Sequence, residues 1–496
     1  MTRTLESPAT AHFRAFGGPL GAIAQLGERL VRNEEVGGSI PPGSTSLRGY
    51  GWQAALPALK IQRTQRRDAA KVARRSPQGE DGPQDKMAPE PDSVLRHRPF
   101  VLFWFARLAV TASYQMLIVA VAWQLYALTG DPFDLGLIGL IQFVPAMLLF
   151  LVVGQVTDRT DRRALLIGCQ LIEAVAAATL LIGVLTGAIS RELILATSFI
   201  LGIARAFEVT VMQIIVPSLV PLPLVPRAVA ASATANQSAT IAGPALGGFL
   251  YTAGPSVVYG VCVALFAAAA LLTLMIRIER MAPSREPLTV KTFFAGFAFI
   301  RRSPAIFGVI SLDLFAVLLG GVTALLPVFA RDVFAAGPWG LGLLRAAPAV
   351  GALTMALVLT RWPIERNAGK MMFAAVAGFG LAAVVFALTG VFAVALAALA
   401  VLGASDMVSV VIRMTLVQLG TPDAVRGRVT AVNGLFIGAS NQLGEFRAGA
   451  MASWIGAVPA VLVGGVGTLV ITLLWTRLFP ALWRADRMGE DEPSGR

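Results

Sequence analysis

Long apolar runs separated by short charged segments fill the chain from about residue 100 to residue 480. The run at 256–276 has no charged residue, and as a helix it would cross a hydrocarbon core of about 30 Å. The predicted helices are 101–127, 134–156, 164–186, 191–216, 228–252, 256–276, 305–330, 338–361, 370–389, 391–415, 429–453 and 457–479. The short alternating segments of a membrane β-barrel do not occur in the sequence. The pattern therefore predicts an all-α membrane protein with twelve transmembrane helices.

Composition agrees with this fold class and narrows the function. Charged residues make up 14% of the chain, against roughly a quarter in a soluble domain. Cys169 and Cys262 lie inside predicted helices and His12 and His97 lie outside them, so neither a disulfide nor a histidine-based metal site is expected. The sequence contains no GxxxxGK[ST] loop for ATP phosphates. We expect no enzyme activity and no cofactor, and an ion gradient, most simply of protons, as the driving force.

The formal net charge of +12 could indicate a nucleic-acid partner, but the positions of the basic residues along the chain argue against one. Basic residues cluster in alternate loops, as the positive-inside rule describes for cytoplasmic loops. They are Arg159, Arg162, Arg163, Arg361, Arg366, Lys370, Arg426 and Arg428. We expect a multi-pass protein of the bacterial inner membrane with both termini in the cytoplasm. Its expected partners are the lipid bilayer and a small-molecule substrate but no nucleic acid, and the chain is expected to be a monomer.

Residues 1–86 are polar, carry mixed charge and show no helical periodicity. Within them, residues 22–45 read AIAQLGERLVRNEEVGGSIPPGST, which resembles a translated tRNA gene with its D-arm and T-arm in the correct order. We therefore expect translation to start at or near Met87. The alternative is a disordered cytoplasmic tail.

An internal repeat divides the helices into two equivalent sets. Four residues recur after 201 positions: Pro221, Arg227, Gly243 and Gly248 return as Pro422, Arg428, Gly444 and Gly449. The predicted organisation is a six-helix bundle over 87–276, a cytoplasmic linker with an amphipathic helix over 277–303, a second bundle over 304–480 and a tail over 481–496. Parallel six-helix repeats place a substrate site between the halves, near the middle of the membrane.

The loop after the second helix reads GQVTDRTDRRALL and contains Gly154, Asp158, Arg159, Arg162 and Arg163. This spacing resembles the signature loop of the major facilitator superfamily. We interpret Asp158 as a conformational latch that binds the opposite half in one conformation only, and Gly154 as a point of close helix approach. The alternative is a solvated basic loop that only sets topology.

Two further motifs extend the resemblance. Residues 239–248 read ATIAGPALGG and resemble the superfamily's antiporter motif through Gly243, Pro244, Gly247 and Gly248, although its leading glycine is Ala239 here. The alternative is ordinary helix packing. Residues 421–428 read TPDAVRGR and, with NQLGEFRAG after them, resemble the bacterial subfamily that contains the enterobactin exporter and drug-efflux proteins. The stretch includes Arg426, Arg428 and Glu445.

The resemblance implies a secondary transporter that exports a drug, siderophore or amphipathic metabolite. The expected mechanism is proton antiport by alternating access, in which one central site faces the two sides of the membrane in turn. Two alternatives remain open: a metabolite importer or facilitator, and a non-transporting membrane receptor with the same fold.

Ionisable residues inside predicted helices are costly, at about 2.5–3.5 kcal/mol each near a helix centre, and should face protein or water. The resemblance implies that the first, fourth, seventh and tenth helices line the cavity. The candidates for cavity charge and proton coupling are then Arg107, Arg205, Glu208, Asp313 and Asp406.

Two interpretations of these charges remain open. Arg205 and Asp406 are 201 residues apart, so we predict that arginines of the first half pair with aspartates of the second half when the cytoplasmic side closes. The alternative is structural: Arg205 and Glu208 are three residues apart and would neutralise each other on one helix face.

Overall fold

The computed structural model describes residues 93–276, 290–364 and 366–484. The predicted extension over 1–86, most of the predicted tail and the first part of the linker lie outside the described residues. The described residues belong to one compact unit.

The first half consists of six long helices joined by short loops. They are α1 (Arg98–Thr129), α2 (Pro132–Arg159), α3 (Arg162–Leu185), α4 (Arg191–Ile215), α5 (Val225–Tyr251) and α6 (Pro255–Leu274). The sequence marks several of these boundaries. Gly130 ends α1 in the left-handed region at φ 65°, and the side chain of Asp131 then accepts a hydrogen bond from Phe133 N at the start of α2. Asp161 and Ser190 cap α3 and α4 in the same way.

The second half repeats this arrangement after a linker helix, Val290–Arg302. Its helices are α7 (Pro304–Gly320, continued as Val322–Val328), α8 (Gly337–Arg361), α9 (Ala368–Leu388), α10 (Phe392–Leu419), α11 (Asp423–Ile455) and α12 (Ala457–Leu478). The linker helix packs against α11, where the ring centroids of Phe297 and Phe436 are 6.2 Å apart. The predicted twelve-helix, all-α fold is confirmed for the described part of the chain.

Ten of these helices are long and apolar enough to cross a membrane, within the residues that the structure describes. The other two, α5 and α11, are 27 and 33 residues long, so length does not limit them. Their polar residues lower their hydropathy. Such residues are tolerated in a membrane where they face protein or a water-filled cavity, and both helices lie at the boundary between the halves.

The repeated glycines occupy equivalent places in the two halves. A Cβ atom at Gly243 would lie 3.2 Å from the carbonyl oxygen of Ala112 on α1, and one at Gly444 would lie 2.7 Å from that of Val317 on α7. The other repeated pair, Gly248 and Gly449, also lies at equivalent contacts: Gly248 packs against α8, and Gly449 packs against α2. These close contacts explain the repeat physically, because a side chain at any of the four positions would separate two helices.

Candidate functional site

The two ends of the bundle differ in how the halves meet. We call the end that carries the α2–α3, α8–α9 and α10–α11 loops the basic end, and the other the opposite end. At the opposite end a hydrophobic cluster contains residues of both halves, including Val119 and Leu135 with Leu325 and Leu341. The remaining clusters of buried residues each stay within one half or join α11 to the linker helix.

Polar contacts join α1 to the end of α7 at the opposite end. The hydroxyl of Tyr126 donates to a carboxylate oxygen of Asp332, and Arg331 Nη1 donates to the carbonyl oxygen of Tyr126 over 3.1 Å. The Arg331 guanidinium also lies 5.2 Å from the centroid of the Tyr126 ring, within range of a cation–π interaction. We call Tyr126, Arg331 and Asp332 the end clasp.

Glycines allow the helices of the two halves to touch at this end. A Cβ at Gly248 on α5 would lie 2.8 Å from Gly342 Cα on α8, and a Cβ at Gly449 on α11 would lie 2.7 Å from Gly136 Cα on α2. These spacings are too small for a side chain. The opposite end is therefore closed by direct backbone packing.

The basic end is open along the same helices. A Cβ added at Gly154 on α2, or at Gly434 or Gly438 on α11, would meet nothing within 4 Å among the described residues. Gly434, Gly438, Asn441 and Glu445 follow one another at spacings of four, three and four, so they share one face of α11. Asn441 and Glu445 line a cavity between the halves, and the two glycines continue that face toward the basic end.

Two adjoining cavities lie between the halves. The first, of about 310 Å³, is lined by α1, α2, α4, α5, α7, α8 and α11, and the second, of about 360 Å³, lies more toward α7, α8 and α10. Thr323 and Glu445 line both, so the cavities meet at these residues. The walls of the first cavity combine apolar and polar side chains, and those of the second are more apolar. A mixed lining of this kind suits a small-molecule site.

The polar groups differ between the two cavities. The first contains Arg345 and Glu445 together with Tyr114, Gln115, Gln142 and Gln442. The second contains Asp406 and Glu445 as its charged side chains, beside Gln237, Thr240 and Asn441. The site therefore offers carboxylates in both cavities and a guanidinium in the first.

A charged cluster lies inside the first half, behind the first cavity. Arg205 Nη1 donates to Glu208 Oε2 over 2.7 Å, and the guanidinium carbon lies 4.3 Å from the centroid of the Tyr114 ring. Glu173 on α3 is fully buried beside this pair. Arg107 lies near the cluster but donates to Ser232 Oγ over 3.0 Å and to the Met212 carbonyl oxygen over 3.5 Å.

The second half has a buried ion pair of its own. Arg413 on α10 contacts Asp313 on α7, with side-chain exposures of 3% and 6%. Asp406 lies two turns before Arg413 on α10 and shares a small cleft with Asp313, Ser405 and Ser409. The structure shows no ion pair for Asp406 among the described residues.

The predicted pairing between halves concerns the state in which the cytoplasmic side is closed, so it stays a prediction, and the described conformation has other pairs. Arg205 pairs with Glu208 on its own helix, and Asp313 pairs with Arg413 in its own half, as the structural alternative describes. The reason is proximity: a partner three residues away, or on a helix of the same half, is closer than a group across the open cavity. The equivalence of Arg205 and Asp406 does hold, because each lies fourteen residues after the first residue of its helix.

The residues of the signature loop have separate surroundings. Gly154 has open space around it, so the expected close helix approach is absent here among the described residues. Arg159 is exposed at the end of α2. Arg163 donates to the carbonyl oxygens of Thr273 and Leu274 at the end of α6, and so stabilises its own half. The Asp158 side chain lies outside the described residues, and the latch stays a prediction.

The antiporter-type motif forms a packing surface beside the cavity. A Cβ at Gly243 would lie 2.6 Å from Gln115 Cβ, and one at Gly247 would lie 2.7 Å from Met116 Cα, so both glycines bring α5 against α1. Pro244 lines the first cavity, and Gly248 faces the other half.

The candidate residues of the α10–α11 loop and α11 have different surroundings. Arg428 packs against the linker helix at Gly296, and Arg426 is exposed. Glu445, about five turns further along α11, reaches the cavity. Only Glu445 of these three is placed to contact a substrate in this conformation.

Sequence reasoning misses several residues of the site. It does not identify Arg413 as the partner of Asp313, and it does not select Arg345 or Glu173 as candidates. The signal exists in each case, because a charge inside an apolar run is costly without a partner. The glutamines of the first cavity give no such signal, since an uncharged amide is common on helix faces.

The fold with its central cavity is that of the major facilitator superfamily, to which the family model that matches this chain also belongs. Two solved structures share the fold. A bacterial homologue of the iron transporter ferroportin in an inward-facing state has a TM-score of 0.62 and 17% identity, over 79% of this chain and 100% of that one. The nucleoside transporter NupG has a TM-score of 0.60 and 14% identity, over 77% of this chain and 99% of that one.

Sequence comparison assigns the chain to a family within this superfamily. The family model described as transmembrane secretion effector matches residues 90–491, and the chain belongs to this family. It is 28% identical over 407 residues to the enterobactin exporter EntS of Citrobacter koseri, which covers 79% of this chain and 94% of that protein. The relatives and the membrane-spanning helices together indicate a multi-pass protein of the bacterial inner membrane.

Proposed function

We propose that this transporter exports a small amphipathic molecule by proton antiport. The observation that carries the proposal is the cavity between two equivalent halves, closed by backbone packing at the opposite end and open toward the basic end. A site that opens to one side at a time is the structural requirement of alternating access.

The proposed orientation puts the basic end in the cytoplasm, in accordance with the positive-inside rule. The conformation then faces inward, ready to take substrate from the cytoplasm or the inner leaflet. Export is the direction that the family relatives support, since the similar proteins are named as exporters.

The proposed substrate class follows from the lining of the cavities. Their walls combine apolar side chains with carboxylates, amides and one guanidinium. Such a lining suits a molecule that combines an apolar body with polar groups. Drugs, siderophores and amphipathic metabolites all meet this description.

Proton antiport is supported by carboxyl groups held inside the membrane part of the protein. Glu173, Glu208 and Asp313 are buried, and Asp406 and Glu445 open into the cavities. An ionised carboxylate is costly in such surroundings, so protonation and conformation are linked.

We propose no cofactor. We also propose that one chain is the transporting unit, because the cavity is formed within it.

The test is uptake into everted membrane vesicles that contain the full chain, with ethidium and enterobactin as probes. An interior-acid pH gradient should drive accumulation of a transported probe, and nigericin, which collapses that gradient, should abolish it. Vesicles without the chain are the control.

Other outcomes would support the alternatives. Entry into right-side-out vesicles down a substrate gradient, without a response to pH, would indicate an importer or facilitator. Binding of a probe without flux in either orientation would indicate a receptor with the transporter fold.

A further inference from the structure

The carboxyl groups of Glu173 on α3 and Glu208 on α4 lie together in the interior of the first half. Both residues are 0% exposed. The two side chains face each other closely enough to interact directly. Two carboxylates have no hydrogen to share, so a hydrogen bond between them requires a proton on one of them.

Of the four carboxylate oxygens of this pair, one accepts a hydrogen bond from another residue. Arg205 Nη1 donates to Glu208 Oε2 over 2.7 Å. The other three oxygens, Glu208 Oε1 and both carboxylate oxygens of Glu173, are buried and receive no hydrogen bond from another residue in the described part of the chain. Arg107 donates elsewhere, to Ser232 and Met212. A buried ionised carboxylate without a donor is strongly unfavourable.

We propose that Glu173 and Glu208 form a shared proton site, in which a proton on Glu173 is donated to Glu208 Oε1 while Arg205 holds Glu208 Oε2. One proton from water binds when the site forms, and the same proton returns to water when it breaks, with no other bond changed. The assignment rests on the proposed proton antiport, and it places the proton in the first half, away from the cavity carboxylates Asp406 and Glu445.

The surroundings connect this pair to the substrate cavity. The charged and titratable groups that face it are Arg107 and Tyr114 on α1, Cys169 on α3 and Arg205 on α4. The helix α2, which packs on α4, contributes the amide of Gln142, whose Oε1 accepts a hydrogen bond of 3.0 Å from the Tyr114 hydroxyl. The helix α6, which packs on α3, has no charged residue. Tyr114 also lines the first cavity and lies against the Arg205 guanidinium.

That stacking gives a route for coupling. A substrate that presses on Tyr114 would push the guanidinium toward the carboxyl pair, and the closer positive charge would favour release of the proton. Substrate binding and proton binding would then compete through Arg205, which is the requirement of antiport.

The first experiment detects the proton without a substrate. Infrared spectra of the purified full chain in lipid are recorded at neutral pH in H₂O and D₂O, because a carboxylic acid gives a carbonyl band that shifts on deuteration and a carboxylate does not. The wild type should show such a band, and Glu173→Gln should reduce it. Glu192→Gln is the matched control, since Glu192 is an exposed acid on α4 and its replacement should leave the band unchanged.

An equal band in wild type and Glu173→Gln would overturn the assignment, and so would a wild type without a band. Glu208→Gln provides a second variant if Glu173→Gln does not fold, and it should also alter the band, because the acceptor of the shared proton is replaced.

The second experiment separates this inference from the proposed function. For a probe that the wild type transports, exchange of labelled for unlabelled ethidium or enterobactin should persist in Glu173→Gln, whereas pH-driven accumulation should fall to that of vesicles without the chain. A wild type that exchanges the probe but ignores the pH gradient would refute proton antiport. A Glu173→Gln variant that still accumulates the probe like wild type would refute the proton site alone.

Discussion

Single glycines decide how closely the two halves can approach at each end. Gly248→Ala should weaken the closed opposite end, because the added methyl carbon would lie 2.8 Å from Gly342 Cα and backbone atoms cannot rotate away. Overpacking of this kind costs about 1–3 kcal/mol. Spin labels at Leu128 and Trp339, exposed at the opposite end in different halves, should then report longer distances. Gly260→Ala, which meets nothing within 4 Å, is the control.

Gly154→Ala should favour the described conformation, in which the opposite end is closed, whereas Gly248→Ala should weaken it. Its added methyl group has open space in the described conformation, so this state is not destabilised. If the signature loop packs against the second half when the basic end closes, the methyl group disfavours that closed state. The same label pair should then report a larger population at short distance. Distances that lengthen in both glycine variants would contradict the latch.

The buried pair of Asp313 and Arg413 makes a prediction about stability. Asp313→Leu or Arg413→Met alone leaves one charge buried without its partner, and each should cost about 3–5 kcal/mol. The double variant should recover most of this loss, because no charge then remains. Thermal unfolding of the purified protein measures the effect, and additive losses in the double variant would show that the two residues do not act as a pair.

At the scale of elements, the end clasp connects α1 to the end of α7 through the Tyr126 hydroxyl. Tyr126→Phe removes the donor to Asp332 but keeps the ring beside Arg331. We expect the opposite end to open more often, by a free energy of about 0.5–1.5 kcal/mol for one hydrogen bond. Leu135 is 4% exposed in the cluster that joins the halves, so faster alkylation of Leu135→Cys would report this opening.

Tyr251→Phe is the matched control for the clasp, because it removes a hydroxyl group from the end of α5. Equal alkylation rates with and without the Tyr126→Phe change would show that the clasp does not hold the end closed.

At the scale of the whole molecule, alternating access requires the open basic end to close. Gly438 lies on the cavity face of α11 with nothing within 4 Å of an added Cβ, so a bulky maleimide on Gly438→Cys should hold that end open and abolish transport. Background labelling should be low, since Cys169 and Cys262 are buried. Labelled Gly260→Cys on α6 should transport normally. Full transport by labelled Gly438→Cys would exclude closure along this face.

The sequence alone determined the features that depend on local chemistry. Apolar runs long enough to cross a membrane predicted the twelve helices, and polar caps such as Asp131 and Asp161 set where several begin. The repeat of Gly243 and Gly248 as Gly444 and Gly449 indicated two equivalent halves, because backbone contact between helices requires small residues wherever it recurs.

Tertiary structure alone decided which charges meet and which end is closed. Of the two pairings that the sequence allows for Arg205, the described conformation has the one with Glu208. The pairing of Asp313 with Arg413 and the interaction of Glu173 with Glu208 follow from no spacing in the sequence. A charge inside an apolar helix signals that some partner is needed, but the identity of the partner depends on helix rotation and on the conformational state. Both are set by packing among helices distant in the sequence, which is why the local pattern could not fix them.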